Sequence, residues 1–203
     1  MKTNRKVQKV YIISLFLVSL ILAATGIGAV YAKYVKKTEF KGNVTVQADL
    51  VDTFELFEHV AERTTLGDYS LGATEVSGNE YVLMPGVDIK KDPQIRITGK
   101  TDVPAYLYIE VVANMPDTVI YSIESCWSFV ADVTGPNNGI IYVYTSELTT
   151  DMNIDIIVDN VLTVRDTLVH PDGNTYSLDF YAYMAQKNGE ATAKAVFTSN
   201  FLP

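Results

Sequence analysis

One cysteine, two histidines and one tryptophan are all that 203 residues hold of three chemically versatile side chains. With Cys126 alone, an intramolecular disulfide is impossible, and so is a zinc site built on paired cysteines. Beside Trp127, in a strand-like run, Cys126 reads as a small buried hydrophobe. No His-Glu-x-x-His helix and no Gly-x-Ser-x-Gly elbow is present, which removes the usual signatures of zinc and serine hydrolysis. Bases are also scarce, 16 against 24 acids, for a formal charge of −8. Four of those bases (Lys2, Arg5, Lys6 and Lys9) precede residue 33 and no acid does, so the remainder is more acidic still. A surface of that sign repels phosphate backbones and anionic headgroups, which excludes nucleic acid and lipid surfaces as natural partners.

The one long apolar run lies at the start. Met1–Lys9 is basic, Val10–Ala24 is uncharged and apolar, and Thr25–Ala32 (TGIGAVYA) supplies glycines and small residues. That order is the pattern of a secretory signal. Val30 and Ala32 suit the shallow pockets of a signal peptidase and place the new N-terminus at Lys33. An uncleaved anchor is the competing reading, since Val10–Tyr31 as a helix would extend about 33 Å. Either way residues 33–203 are expected outside the cytoplasm, touching the membrane only through the signal segment.

After residue 32 the pattern is short strands and turns. Lys33–Glu39 is polar and basic with no core pattern. In Asn43–Leu50, Val44, Val46, Ala48 and Leu50 alternate with polar residues, as in a half-buried strand. Phe54–Arg63 fits a strand end or a short helix. Thr64–Glu80, rich in Gly, Ser and Thr, reads as an irregular connection. Further strands are expected at Gln94–Thr98, Pro104–Met115, Thr118–Ile123, Trp127–Val133, Gly139–Thr145, Asn153–Val164, Ser177–Gln186 and Ala191–Thr198. Turn chemistry separates them, as in Gly135-Pro136-Asn137-Asn138-Gly139 and Pro171-Asp172-Gly173-Asn174. The expected fold is all-β, a jelly-roll or Ig-like β-sandwich over 33–203 preceded by a signal helix over 1–32.

Three polar constellations invite a site. Glu55, Glu58, His59 and Glu62 would share a face only on a helix, and a solvated acidic face with one surface histidine explains them more simply. His170 sits in a turn, His170-Pro171-Asp172-Gly173. Asp151, Asp155 and Asp159 would lie on one face of an extended strand, too far apart for one ion. No catalytic, cofactor or metal residue is assigned. Tyrosines 106, 108, 142, 144, 181 and 183 recur at i, i+2 and read as cross-strand packing rather than an exposed aromatic surface.

Three segments carry a resemblance. They are GIGAVYAKY followed by GNVTVQADLVDTFEL, then LMPGVDIKKDPQIRITGKTDVPAYLYIEV, then LDFYAYMAQKNGEATAKAVF. Their order and spacing are similar to the camelysin and TasA-like proteins, exported with a SipW-type signal peptide in Gram-positive bacteria. One departure is Val87, where the family's Leu-x-Pro-Gly turn usually continues with Glu. The resemblance implies a jelly-roll subunit of an extracellular matrix fibre or cell-surface layer. It also implies strand donation by the freed leader, Lys33–Leu50, to another copy or a related surface protein. Residues Val44, Val46, Ala48 and Leu50 would form the donated face. A monomeric surface-binding module is the alternative, and a camelysin-type metalloprotease stands last.

Overall fold

The computed structural model describes residues 35–39 (backbone), 54–65, 67–99, 104–149, 151–167, 176–187, 189 and 191–202. The signal-cleavage residues Val30, Ala32 and Lys33, the donor residues Val44, Val46, Ala48 and Leu50, and His170 lie outside the described residues. Within them the chain is all-β apart from one short helix and a single 3₁₀ turn.

The strands are β1 (Val35–Glu39), β2 (Phe54–Arg63), β3 (Tyr69–Val76), β4 (Asp88–Lys90), β5 (Gln94–Ile97) and β6 (Ala105–Asn114), then β7 (Val119–Ile120), β8 (Trp127–Thr134), β9 (Ile140–Tyr144), β10 (Met152–Asp155), β11 (Val161–Val164) and β12 (Ser177–Gln186). Helix α1 (Ala193–Phe201) follows. They form sheets ordered β1-β12-β6-β9-β8, β10-β5-β2-β3 and β4-β11-β7. Every strand pairing is antiparallel.

Alternation explains how the inner strands β6 and β12 of the five-stranded sheet are buried on both faces. On β6, Leu107, Ile109 and Val111 point into the main core, where they meet Phe180, Ala182 and Met184 of β12. That core also takes Leu56 of β2, Ile95 and Ile97 of β5, Ile89 of β4, Leu162 of β11 and Ile154 of β10, so it draws on all three sheets. The opposite face of β6 and β12 carries Tyr108, Tyr183 and Ala185, which pack with Val196 and Phe197 of α1. Tyr108 and Tyr183 are fully buried, and the Tyr108 hydroxyl donates to the Ala193 carbonyl at 2.9 Å. Phe197 meets both rings edge-on, at centroid distances of 5.1 and 5.5 Å. The tyrosine pairs are packing.

Several expectations are corrected here. Ala191–Thr198 is not a strand: Thr192 caps α1 by accepting from the Ala195 amide at 3.2 Å, and Ala-rich sequence continues as helix. Thr64–Glu80 is not wholly irregular, since it contains β3. Among the described strands β3 pairs with β2 alone, and it leaves half of its residues exposed, so its sequence needs no apolar alternation. Asn153–Val164 is two strands broken by the 3₁₀ turn Val158–Asn160, where Asp159 and Asn160 take φ of 56° and 53°. Asp and Asn tolerate that region better than other residues with a Cβ. Asp151, Asp155 and Asp159 therefore share no strand face. Of Thr118–Ile123 only Val119–Ile120 is strand, with an isolated bridge from Ile123 to Ile157. Lys33–Glu39, read as patternless, contains β1. Cys126 lies in the turn before β8 rather than in a strand, half-buried against the main core, and burial pushes its thiol up from the ordinary value.

Candidate functional site

Two fully buried glutamates and one sheet edge are the features that could do more than hold a core. The first carboxylate is on β2. That segment is a strand throughout, so Glu55, Glu58, His59 and Glu62 share no face: Glu55 and Glu62 are exposed and Glu58 is fully buried. The expectation of a solvated acidic face fails at Glu58. The strand slips its register against β3 between His59 and Ala61. Asn79 fills the slip, donating to the His59 carbonyl at 2.8 Å and accepting from the Ala61 amide at 2.8 Å. A side-chain amide so placed replaces a missing rung of the ladder.

Just past β4 the chain turns toward β5, which pairs with β2 up to Phe57↔Gln94. The corner residues Lys91 and Asp92 therefore pass alongside Glu58 and His59. Lys91 Nζ donates to Glu58 Oε2 at 2.9 Å, and their side chains are 7% and 0% exposed. The His59 amide donates to Asp92 Oδ1 at 3.0 Å, while His59 Nδ1 lies 2.5 Å from Asp92 Oδ2. Neighbouring residues on one segment thus pair with neighbouring residues on the other. Lys91 Nζ also sits 5.5 Å from the Tyr81 ring centroid and 5.9 Å from that of Phe180. Glu58 Oε1 is buried without a hydrogen-bond partner among the described residues, and the Tyr81 hydroxyl is buried beside Asn79. Burial first, then the charges of Glu58 and Asp92, push the Tyr81 phenol far above its ordinary range.

The second carboxylate, Glu110 on β6, is equally buried and is held without a cation. Tyr183 Oη donates to Oε2 at 2.5 Å, Asn137 Nδ2 to Oε2 at 2.9 Å, and the amides of Asn137 and Gly139 to Oε1 at 2.8 Å each. The Gly135–Gly139 segment, expected to be a turn between strands, is also the receptor for this carboxylate. A Cβ on Gly135 would lie 2.3 Å from the Glu110 carboxyl, and one on Gly139 would lie 2.5 Å from its Cγ. Space, rather than backbone φ, demands glycine at both.

The third feature is the rim of the five-stranded sheet. At one end β1 pairs with β12 from Val35↔Ala185 to Glu39↔Tyr181, leaving the Ser177–Phe180 portion of β12 without a β1 partner. At the other end β8 is bent by a register shift between Phe129 and Thr134, with Asp132 at φ 55°. Phe129 and Ile140, 58% and 49% exposed, stand diagonally on this rim. Bulged edges resist pairing with another chain, whereas an edge strand without a bulge keeps a regular row of backbone groups to offer.

Among the described residues, no three His, Cys, Asp or Glu side chains are placed to hold a metal ion. Likewise, no described helix is long and apolar enough to cross a membrane. Sequence reasoning missed Lys91, Asp92 and Glu110. The only available signals were a charged Lys91-Asp92 pair between two short strands and an acid in line with Tyr106 and Tyr108 on β6. The chain matches no known protein family, no curated protein and no solved structure.

Proposed function

We propose that this chain is a secreted structural subunit of an extracellular matrix fibre or cell-surface layer, a jelly-roll or Ig-like β-sandwich that assembles by N-terminal strand donation. A signal peptidase of SipW type would release it after Ala32. One observation supports this reading above the others: the leader segment Val35–Glu39 is itself an edge strand, joined to β12 through five residue pairs. Backbone pairing of that kind carries little side-chain specificity, so another copy can supply the same strand. Head-to-tail exchange does not close on itself and yields filaments.

The test is to purify the chain starting at Lys33 and look for filaments by electron microscopy. Filaments that vanish on deleting residues 33–42 support strand donation. A protein that stays monomeric in every condition, unchanged by the deletion, sinks it. The alternative of a monomeric surface-binding module draws on the exposed Phe129 and Ile140, and predicts saturable binding without polymerisation.

A further inference from the structure

We infer that Lys91 and Glu58 are the two halves of a self-forming amide cross-link between β2 and the β4–β5 corner. Three observations converge on this pair. The reacting groups touch: Nζ lies 2.9 Å from Glu58 Oε2. They are dry: both side chains are buried, and aromatic rings of Tyr81 and Phe180 flank the nitrogen. The carboxylate is also incompletely held, because Oε1 is buried and has no hydrogen-bond partner. A carboxylate that is to stay charged in an interior normally has both oxygens satisfied, as Glu110 has.

The step balances without any added reagent. Transfer of one proton from Nζ to a carboxylate oxygen turns the pair into an amine and a carboxylic acid, which removes two buried charges. The nitrogen lone pair then adds to Glu58 Cδ and the new C–N bond forms. The C–OH bond breaks, and the hydroxyl leaves with an amine proton as one water. The product is a neutral secondary amide, and nothing is oxidised or reduced. Holding amine and acid in contact supplies the effective concentration that such a condensation lacks in solution. The bond would tie together segments 33 residues apart in a chain whose lone cysteine allows no internal disulfide.

Mass spectrometry of the full chain decides it. The intact mass, set against the mass calculated from the N-terminus found in the same sample, should be lighter by one water. A tryptic digest should yield a branched peptide joining the β2 segment to the segment containing Lys91. In Glu58→Gln the same linkage forms with loss of ammonia, while Lys91→Arg should show the full, uncondensed mass. The proposal is overturned if wild-type protein with a native near-ultraviolet circular dichroism spectrum has the full mass and releases Lys91 in a linear peptide. It is equally overturned if the missing water maps elsewhere, such as to a succinimide at Asp172-Gly173. Both readouts are made on the wild-type protein, so a variant that fails to fold does not blunt the test.

Discussion

Glu58 and Glu110 are the same side chain in the same degree of burial, and the protein holds them in opposite ways. Glu58 relies on one ammonium and leaves an oxygen without a partner, whereas Glu110 is surrounded by four neutral donors from Tyr183, Asn137 and Gly139. A single counter-charge concentrates the compensation in one contact; fixed dipoles spread it over several. Losing one partner should therefore be far worse at the first site than at the second.

Lys91→Met tests the larger half of that statement. It leaves Glu58 buried with neither an ammonium nor a cross-link to compensate it, and should cost at least about 3–5 kcal/mol, read from the urea midpoint. Combining it with Glu58→Leu should restore the part due to the orphaned charge. At the second site Glu110→Gln keeps the shape but turns an NH₂ toward groups that themselves donate, and should cost about 1.5–3 kcal/mol. Tyr183→Phe removes one of the four donors and should cost less, about 1 kcal/mol. If Glu110→Gln proves as damaging as Lys91→Met, the contrast between the sites is wrong.

Two smaller effects sharpen the comparison through pH. Tyr81 titrates above its ordinary value in the folded chain, so its contribution is complete below about pH 10 and is lost as pH rises beyond that. Tyr81→Phe should change stability little at neutral pH and flatten the alkaline decline, checked by urea titrations across that range. Glu75 behaves in the opposite sense at the surface, where its hydrogen bond to Arg96 lowers its carboxyl. Its contribution is present above the ordinary carboxylate range and fades as pH falls through the depressed value. Being solvent-screened, it should be the smallest effect of all: Arg96→Ala should flatten the acid limb slightly, and less so at high salt.

What the sequence made legible follows the same division between apolar and polar. Strands with an apolar face, such as Gln94–Ile97 and Ser177–Gln186, were readable because alternation is imposed by the core they face. The tyrosine pairs at 106/108 and 181/183 were readable as packing for the same reason. Strand β3 was hidden because an edge strand with a solvated face needs no pattern. Helix α1 was hidden because Val196, Phe197 and Phe201 fit either a strand or a one-sided helix, and only the Thr192 cap and the waiting Tyr108 and Tyr183 rings decide it. The Glu58–Lys91 and His59–Asp92 pairs were illegible because they depend on a corner 33 residues away in sequence. Of the candidate edge, Val35–Glu39 falls inside the expected leader, but its pairing with β12 could not be read from a polar segment.

The β6–β12 ladder carries a kinetic consequence. Its ten rungs join Ala105–Asn114 to Ser177–Gln186, so they cannot close until Gln186 has been made. Pairings of such long sequence separation form slowly, in the millisecond-to-second range typical of β-rich folds. Strand β1 waits on the same event, because β12 is its only partner among the described strands. Each newly made chain thus passes through an interval in which its first strand is ready and its own docking site does not yet exist.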